Sequence, residues 1–508
     1  MNQLNYFYQR ERYIYIIGIV VSLLLSGWMM ARVAIINPDA ICYLSGAEMF
    51  GQGGIKAVLP LCSQSKWPFY SVLIYAFVQL THLSFIHAAY VLNSFFTLGS
   101  VLVFVLIVKT LGGSKRVLWL ALLTILLSHT FNSVREYIIR DHGFWFFYLT
   151  SMLFLLRYFQ KLKWSDAICF SFSLLIAALF RVEGILFLLF LPFVAFVYRS
   201  YSLRERLVSF FVLSSPVFIL VLLAAAWLIL HPQHSVAEWG RIPELLGQFQ
   251  HGFAMMAERY VSTQTALAKY VLPSDSMHEA GLILWIILAV WYVFNVFSNL
   301  SWGYTLALAY QWLLGKPLKI KNVSPVLMTY LVINVFITFI FLFEHFFLSK
   351  RYLIALSLVL MLWIPFALDE LIERRAELRY QLYLFCAAIF IFISATGGIF
   401  EFGYSKQYVS DAGGWIALHV PQKANLYVND YQLMYYSKHF GYKIFDQISR
   451  DDHVAVLKHG KWKQYDYLAL RVKRRDTQDI ISILQEISVA PLQIFSNKGG
   501  DQVIIYKT

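Results

Sequence analysis

Charged residues are scarce in this sequence. They make up 14% of its 508 residues, while hydrophobic residues make up 59%. A soluble globular domain typically carries about 25% charged and about 45–50% apolar residues. A mean hydropathy of +0.61 agrees that too little charge is present to cover a water-facing surface. The composition therefore excludes a soluble protein and a disordered one, and it indicates an integral membrane protein.

Cysteine is also scarce. The chain has four cysteines and no Cys-x-x-Cys pair, which excludes a disulfide-dense scaffold and gives no support to a cysteine metal site. Cys169 and Cys386 lie in apolar segments, where free cysteines usually pack as small hydrophobic residues. Cys42 and Cys62 instead fall in one polar connection and are candidates for a disulfide.

No cofactor is predicted with certainty. His231, His234 and Glu238 fit the spacing of a metal site in a loop only loosely. A divalent metal therefore stays open, without positive support from the sequence.

Long apolar segments, by contrast, are abundant. A transmembrane helix needs roughly 20 mostly apolar residues, and by that criterion the sequence contains about eleven candidates. They cover residues 13–36, 85–111, 117–133, 142–160, 164–180, 184–198, 207–230, 281–300, 325–343, 352–368 and 380–400.

The basic residues predict how these spans are oriented. Short cytoplasmic loops carry an excess of Lys and Arg, and the net charge of +13 is concentrated in alternate connections. With the amino terminus in the cytoplasm, the basic clusters of these alternate connections all fall on that side, and an odd span count places the carboxyl terminus outside. The predicted fold is therefore an α-helical polytopic membrane protein, and the positive charge gives no reason to expect a nucleic-acid partner.

Three sizeable segments are predicted to lie outside. They are a first outer loop at 37–84 with interfacial helices, a second large outer loop at 231–279, and a small α/β domain at 404–508, which follows a transmembrane domain at 1–403. In the last segment, strands are predicted at 424–428, 442–445 and 467–472. A hairpin is predicted around Lys498-Gly499-Gly500-Asp501.

Ionisable residues gather at the predicted outer ends of the spans. Because outside loops are normally poor in Lys and Arg, these cations indicate an anionic ligand, and the acids among them suit proton transfer. The residues are Asp39, Lys66, Arg135, Glu136, Arg140, Asp141, His142, Arg181, Glu183, Glu344, His345, Lys350 and Arg351.

Five of these segments resemble, in order, motifs of the type C glycosyltransferases. The resemblance is to the branch with protein O-mannosyltransferases and the lipid A aminoarabinose transferase, and it covers nearly the whole chain. The segments are Pro38-Asp39-Ala40 with Tyr43-Leu44, Lys66-Trp67-Pro68-Phe69-Tyr70 (one residue longer than the Lys-Pro-Pro-Leu-Tyr stretch), Arg140-Asp141, Arg181-Val182-Glu183-Gly184 (Val182 replacing proline), and Lys350-Arg351-Tyr352-Leu353.

The resemblance implies an inverting transfer of a sugar from a polyprenyl monophosphate to a glycan, lipid or protein acceptor. It implies a bacterial inner-membrane enzyme whose active site lies on the extracytoplasmic face. Asp39 is the expected general base, and Asp141 orients a substrate. The expected donor-phosphate ligands are Lys350, Arg351, Lys66, Arg140 and Arg181, and the expected orienting residues are Tyr43, Arg135, Glu183, Glu344, His345 and Tyr352.

Structural explanations stay open beside these roles. Asp39 suits the first turn of a helix that begins at Pro38 after Asn37, and Lys350 with Arg351 suits an interfacial anchor. A lipid or glycan transporter and a non-catalytic membrane scaffold are the alternative functions. The absence of internal repeats gives the transporter no support.

Overall fold

The computed structural model describes residues 11–198, 201–231, 241–314, 324–400, 403–439, 457–458, 460–486 and 490–508. The chain forms two compact units. The first comprises Met1–Gly27, Ser94–Arg135 and Arg140–Phe400, and the second comprises Trp28–Asn93, Glu136–Ile139 and Glu401–Thr508. The division at residue 403 stays a prediction, since the carboxyl-terminal residues share a unit with residues 28–93.

Helices make up most of the described chain. In chain order they are α1 Arg12–Met30, α2 Pro38–Val58, α3 Phe69–Thr81, α4 Phe85–Thr110, α5 Lys115–Leu126, α6 His129–Ser133, α7 Asp141–Lys161, α8 Trp164–Phe180, α9 Gly184–Phe190, α10 Val194–Val197, α11 Leu203–Leu230, α12 Ile242–Tyr270, α13 Ala280–Leu300, α14 Trp302–Leu313, α15 Ser324–His345, α16 Ile354–Met361, α17 Ile364–Glu373 and α18 Leu378–Ile399.

Six helical segments within the described residues are long and apolar enough to cross a membrane. They are Arg12–Met30, Phe85–Thr110, Leu203–Leu230, Ser274–Leu300, Pro325–His345 and Leu378–Ile399. A bent pair, Lys350–Met361 with Ile364–Glu373, would make a seventh. The chain is therefore an integral membrane protein, while the count of eleven spans and their orientation stay predictions.

The predicted span at 117–133 is interrupted in the structure. Helix α5 ends at Leu126, and the short helix α6 begins at His129. The Asn132 side chain donates a hydrogen bond to the Leu126 carbonyl at 2.6 Å, so a polar side chain satisfies a carbonyl at the break. The α6 segment, His-Thr-Phe-Asn-Ser, is polar apart from Phe131, so the apolar run ends at the break.

The second unit contains a four-stranded sheet near the carboxyl terminus. Its elements are α19 Gln407–His419, β1 Leu426–Val428, α20 Tyr431–Ser437, β2 Tyr467–Val472, α21 Thr477–Glu486, β3 Pro491–Ser496 and β4 Gln502–Lys507. The strand order is β1-β2-β4-β3, with β1 and β2 parallel and the other pairs antiparallel. The strand predicted at 442–445 lies outside the described residues, and the extracytoplasmic location of this sheet stays a prediction.

Candidate functional site

An arginine in the first unit joins two carboxylates. Asp141 is the first residue of α7, Arg181 directly follows α8, and Glu183 directly precedes α9. Arg181 donates through Nη1 to Asp141 and through Nη2 to Glu183 Oε1 at 2.6 Å. The Asp141 and Arg181 side chains are only 4% and 9% exposed. The result is a charged triad at the meeting point of three helices, in which Asp141 and Arg181 are buried and Glu183 is partly buried.

Gly184 lets this turn form. A Cβ atom on Gly184 would lie 2.6 Å from the Ala178 Cα, which is closer than real side chains approach a backbone. Because glycine has no Cβ, the start of α9 can pack against the end of α8. The Arg181-Val182-Glu183-Gly184 segment thereby brings both of its charged side chains back beside α7.

Two further arginines place positive charge beside the triad. Arg140 precedes α7, and both Arg140 and Arg351 lie close enough to stabilise the ionised form of Asp141. The Tyr352 ring centroid lies 4.8 Å from the Arg181 guanidinium and 5.3 Å from that of Arg351. Three guanidinium groups therefore act on the two carboxylates of the triad, which leaves a net positive charge suited to an anion.

The pKa of Glu183 shows how strongly these positive charges act on the carboxylates. Burial by itself would raise the pKa of Glu183, but Arg181, with a smaller contribution from Arg140, lowers that pKa to about 2. A carboxylate held so firmly ionised is a weak proton acceptor near neutral pH. The triad is therefore better suited to orienting and to binding charge than to general-base catalysis.

The end of α15 and the segment before α16 carry further first-unit candidates. His345 stacks on Phe341 with ring centroids 4.3 Å apart, and its Nδ1 lies 3.8 Å from Glu344 Oε2. Phe341 also packs against Tyr352 at 4.5 Å. Lys350 is exposed and has no recorded ion pair among the described residues, whereas Arg351 is half-buried beside the triad.

Arg259 is a candidate that sequence reasoning missed. It lies in α12, donates a hydrogen bond to the Glu344 carbonyl, and has its guanidinium 5.5 Å from the Phe346 ring centroid. The available signal was its position in the predicted outer loop at 231–279. The rule that singled out the other outer cations applies there equally well.

Arg135 occupies a different environment from the other predicted residues. It is 1% exposed, and its Nη1 donates to the Ser22 carbonyl at 3.1 Å and to Ser26 Oγ at 2.9 Å. Its Nε donates to Asn132 Oδ1 at 2.8 Å. These contacts tie α1 to the segment after α6, so the structure supports a packing role for Arg135. Its substrate-orienting role stays a prediction.

Asp39 lies in the second unit, in the first turn of α2. Asn37 occupies the N-cap position and Pro38 follows it, as expected. The Asn37 side chain does not cap the helix but pairs with the backbone of Ile138, accepting from its N–H at 2.8 Å. The Asp39 carboxylate accepts a hydrogen bond from Gln64 Nε2 at 3.3 Å.

Tyr43 and Lys66, which belong to the same unit as Asp39, differ in exposure. Tyr43 is buried one helical turn after Asp39, and its ring packs edge-on against Tyr70 at 5.1 Å. Lys66 ends a short 3₁₀ turn, Ser63–Lys66, and is exposed.

The structure joins Cys42 and Cys62 in a disulfide, with Cα atoms 6.4 Å apart. We expect mass spectrometry of non-reduced peptides to find this crosslink in protein purified from membranes. Cys169 and Cys386, which are free, should react with a thiol reagent after denaturation and serve as the internal control. Equal alkylation of all four cysteines would contradict the disulfide.

No family model and no curated protein matches this sequence. Solved structures, in contrast, match it over most of its length. The ArnT structure from Cupriavidus metallidurans bound to undecaprenyl phosphate matches with a TM-score of 0.53 and 14% identity, covering 97% of this chain and 98% of that one. The Archaeoglobus fulgidus oligosaccharyltransferase tethered to an acceptor peptide matches with a TM-score of 0.55 and 11% identity, covering 91% of this chain and 69% of that one. This chain has the type C glycosyltransferase fold.

The predicted resemblance is thereby confirmed at the level of the fold. Within the described part of this type C fold, no group of three or more His, Cys, Asp or Glu side chains could hold a metal ion. Of the three residues considered for a metal site, His234 and Glu238 lie outside the described residues.

Proposed function

We propose that this chain is a glycosyltransferase that moves a sugar from a polyprenyl-phosphate donor to an acceptor hydroxyl on the extracytoplasmic face of the inner membrane. The observation that carries the proposal is the charged Asp141–Arg181–Glu183 triad with Arg140 and Arg351 beside it, in a chain with the type C fold. A similar chain, ArnT, binds undecaprenyl phosphate in its structure. The acceptor is a glycan, lipid or protein hydroxyl.

The chemistry requires two aids. An alkyl hydroxyl is a poor nucleophile near neutral pH, so a carboxylate that accepts its proton in the transition state lowers the barrier. The departing lipid phosphate gains negative charge, so fixed cations beside it lower the barrier further. We assign the first task to Asp39 and the second to Arg351, followed by Lys350, Lys66, Arg140 and Arg181.

The structure supports dividing the labour between the two acids. The Asp141 carboxylate already accepts a hydrogen bond from Arg181, whereas Asp39 is partly exposed at the start of α2. A base must be reachable by the incoming hydroxyl, so Asp39 suits that role better than Asp141. Attack on the side opposite the phosphate then inverts the anomeric centre, with the acceptor proton passing to Asp39 and the phosphate leaving with the bonding pair.

A transfer assay tests the proposal. Purified protein in lipid nanodiscs would receive a panel of radiolabelled polyprenyl-phosphate sugars together with mixed envelope acceptors. Transfer is expected to release free polyprenyl phosphate and to label an acceptor in equal amounts. Movement of an intact donor across the proteoliposome membrane, without release of free polyprenyl phosphate, would contradict the proposal and support a transporter.

Replacing Arg351 with alanine is expected to weaken use of the donor. A hydrogen bond between charged groups contributes about 1.5–3 kcal/mol, so KM for the donor should rise roughly tenfold to a hundredfold. Lys350→Ala should have a smaller effect, because Lys350 is exposed while Arg351 lies beside the triad. Arg379→Ala, which removes an exposed arginine paired with Glu377, is the control. Unchanged donor KM in Arg351→Ala would reduce this residue to an interfacial anchor.

A further inference from the structure

The Gln64 side chain forms a hydrogen bond with the Asp39 carboxylate. Its Nε2 donates to Asp39 Oδ1 at 3.3 Å, across 25 positions of sequence. The other end of the amide is also held, since Ser63 Oγ donates to Gln64 Oε1 at 3.0 Å. The Ser63 contact orients the amide with its oxygen toward the hydroxyl and its nitrogen toward Asp39.

The backbone under Gln64 is firmly attached to the helix that carries Asp39. The Cys62 N–H donates to Ser65 Oγ at 3.1 Å, and that hydroxyl lies 2.7 Å from the Cys62 carbonyl. Ser65 is 1% exposed. The Cys42–Cys62 disulfide then joins this turn to α2, three residues after Asp39. Gln64 and Asp39 are therefore held on one crosslinked support.

We propose that Gln64 is a positioning residue for Asp39, which rests on the general-base role proposed above. A carboxylate on a short side chain can rotate about its bonds, and each rotation moves the lone pairs that must meet the acceptor hydroxyl. A donor fixed on one oxygen limits that rotation and keeps the group aligned for proton transfer.

Other ionisable groups lie on the elements packed against α2 and must be separated from Asp39. They are Lys66 on the 3₁₀ turn, Tyr70 and Tyr75 on α3, Tyr431, Tyr435 and Tyr436 on α20, Lys438 after α20, and Glu136 and Tyr137 beside Ile138, which pairs with Asn37. Glu48 is a second acid on α2 itself, and burial raises its pKa although Lys438 opposes the change. Glu48→Gln is therefore needed as a control for any change in pH dependence.

The test compares Gln64→Ala and Gln64→Glu with the parent protein. The pH at which kcat/KM falls on the acidic side reports the essential base of the free enzyme. Gln64→Ala removes the donor that holds the Asp39 carboxylate in one orientation, so kcat should fall by up to about 10²-fold. Gln64→Glu places a like charge beside Asp39, so the acidic limb should move upward, with activity partly recovered at higher pH. Donor KM should stay unchanged.

A second readout does not need turnover. Carbodiimide coupling of a small amine modifies protonated carboxyl groups, and peptide mass spectrometry gives the pH midpoint of labelling at Asp39. That midpoint should move upward in Gln64→Glu, while Gln52→Ala, an exposed glutamine on α2, and Glu48→Gln should leave it in place. A failed transfer assay with a shifted midpoint would count against the proposed function alone. An unmoved midpoint in Gln64→Glu, or a parental kcat in Gln64→Ala, with thermal stability like the parent's, would overturn the role of Gln64.

Discussion

Asp39→Asn is expected to yield a folded protein whose transfer rate is lower by about 10²–10⁴, the usual cost of losing general-base assistance. Asparagine keeps the size of the side chain and an oxygen that can still accept from Gln64, but it cannot take up the acceptor proton. Losing a negative charge in the first turn of α2 costs only about 0.3–1 kcal/mol of stability. Catalytic and structural explanations of Asp39 therefore predict different results.

The measurement combines transfer rate, thermal stability and donor binding. Asp411→Asn is a matched control, because Asp411 lies in α19 and also accepts a hydrogen bond from a glutamine side chain, at 3.2 Å from Gln407. Asp141→Asn is measured in parallel. Retention of more than about a tenth of the parental rate by Asp39→Asn would show that Asp39 is not the base. An inactive Asp141→Asn would then transfer that role to Asp141.

Local patterns in the sequence predicted the carboxyl-terminal sheet well. The strand predicted at 467–472 is found at Tyr467–Val472, and the predicted hairpin joins β3 to β4 across the Lys498–Asp501 turn. Alternating side chains and a glycine-containing turn determine such elements over a few residues. The start of α2 was predictable for the same reason, because Asn37 and Pro38 are local signals.

The organisation of the charged site depended on contacts that no local pattern reveals. Arg181 and Asp141 were both named from the sequence, but no local pattern indicated that they would pair across 40 positions. Arg135 looked like one of the outer cations, because its position in the chain is next to theirs. Its guanidinium instead donates hydrogen bonds to Ser22 and Ser26 on α1, more than 100 residues away. Gln64 carried no recognisable motif, and only the crosslinked turn brings it to Asp39.

Arg181→Ala is expected to cause the largest loss of stability among single substitutions at the site. It leaves the buried Asp141 carboxylate and the partly buried Glu183 carboxylate without the cation that both contact. Removing one partner of a buried ion pair typically costs about 3–5 kcal/mol, whereas an exposed pair contributes about 0–1 kcal/mol. Arg379→Ala, which breaks an exposed pair with Glu377, should therefore lower the melting temperature far less.

The stability lost in Arg181→Ala should change with pH in a definite direction. In the parent, the pKa of Glu183 is lowered from 4.5 to about 2, so its stabilising contribution is present above pH 4.5 and is lost as pH falls toward 2. In Arg181→Ala, burial still raises the pKa of Glu183 and only the weaker effect of Arg140 opposes it, so protonation relieves a poorly paired charge as pH falls. The melting-temperature gap between parent and variant should therefore narrow from pH 7 to pH 4.

Adding Asp141→Asn and Glu183→Gln to Arg181→Ala should recover part of the loss at pH 7. A gap that stays constant with pH, without recovery in the triple variant, would show that Arg181 stabilises the protein through packing on Tyr352 and Phe144 rather than through charge.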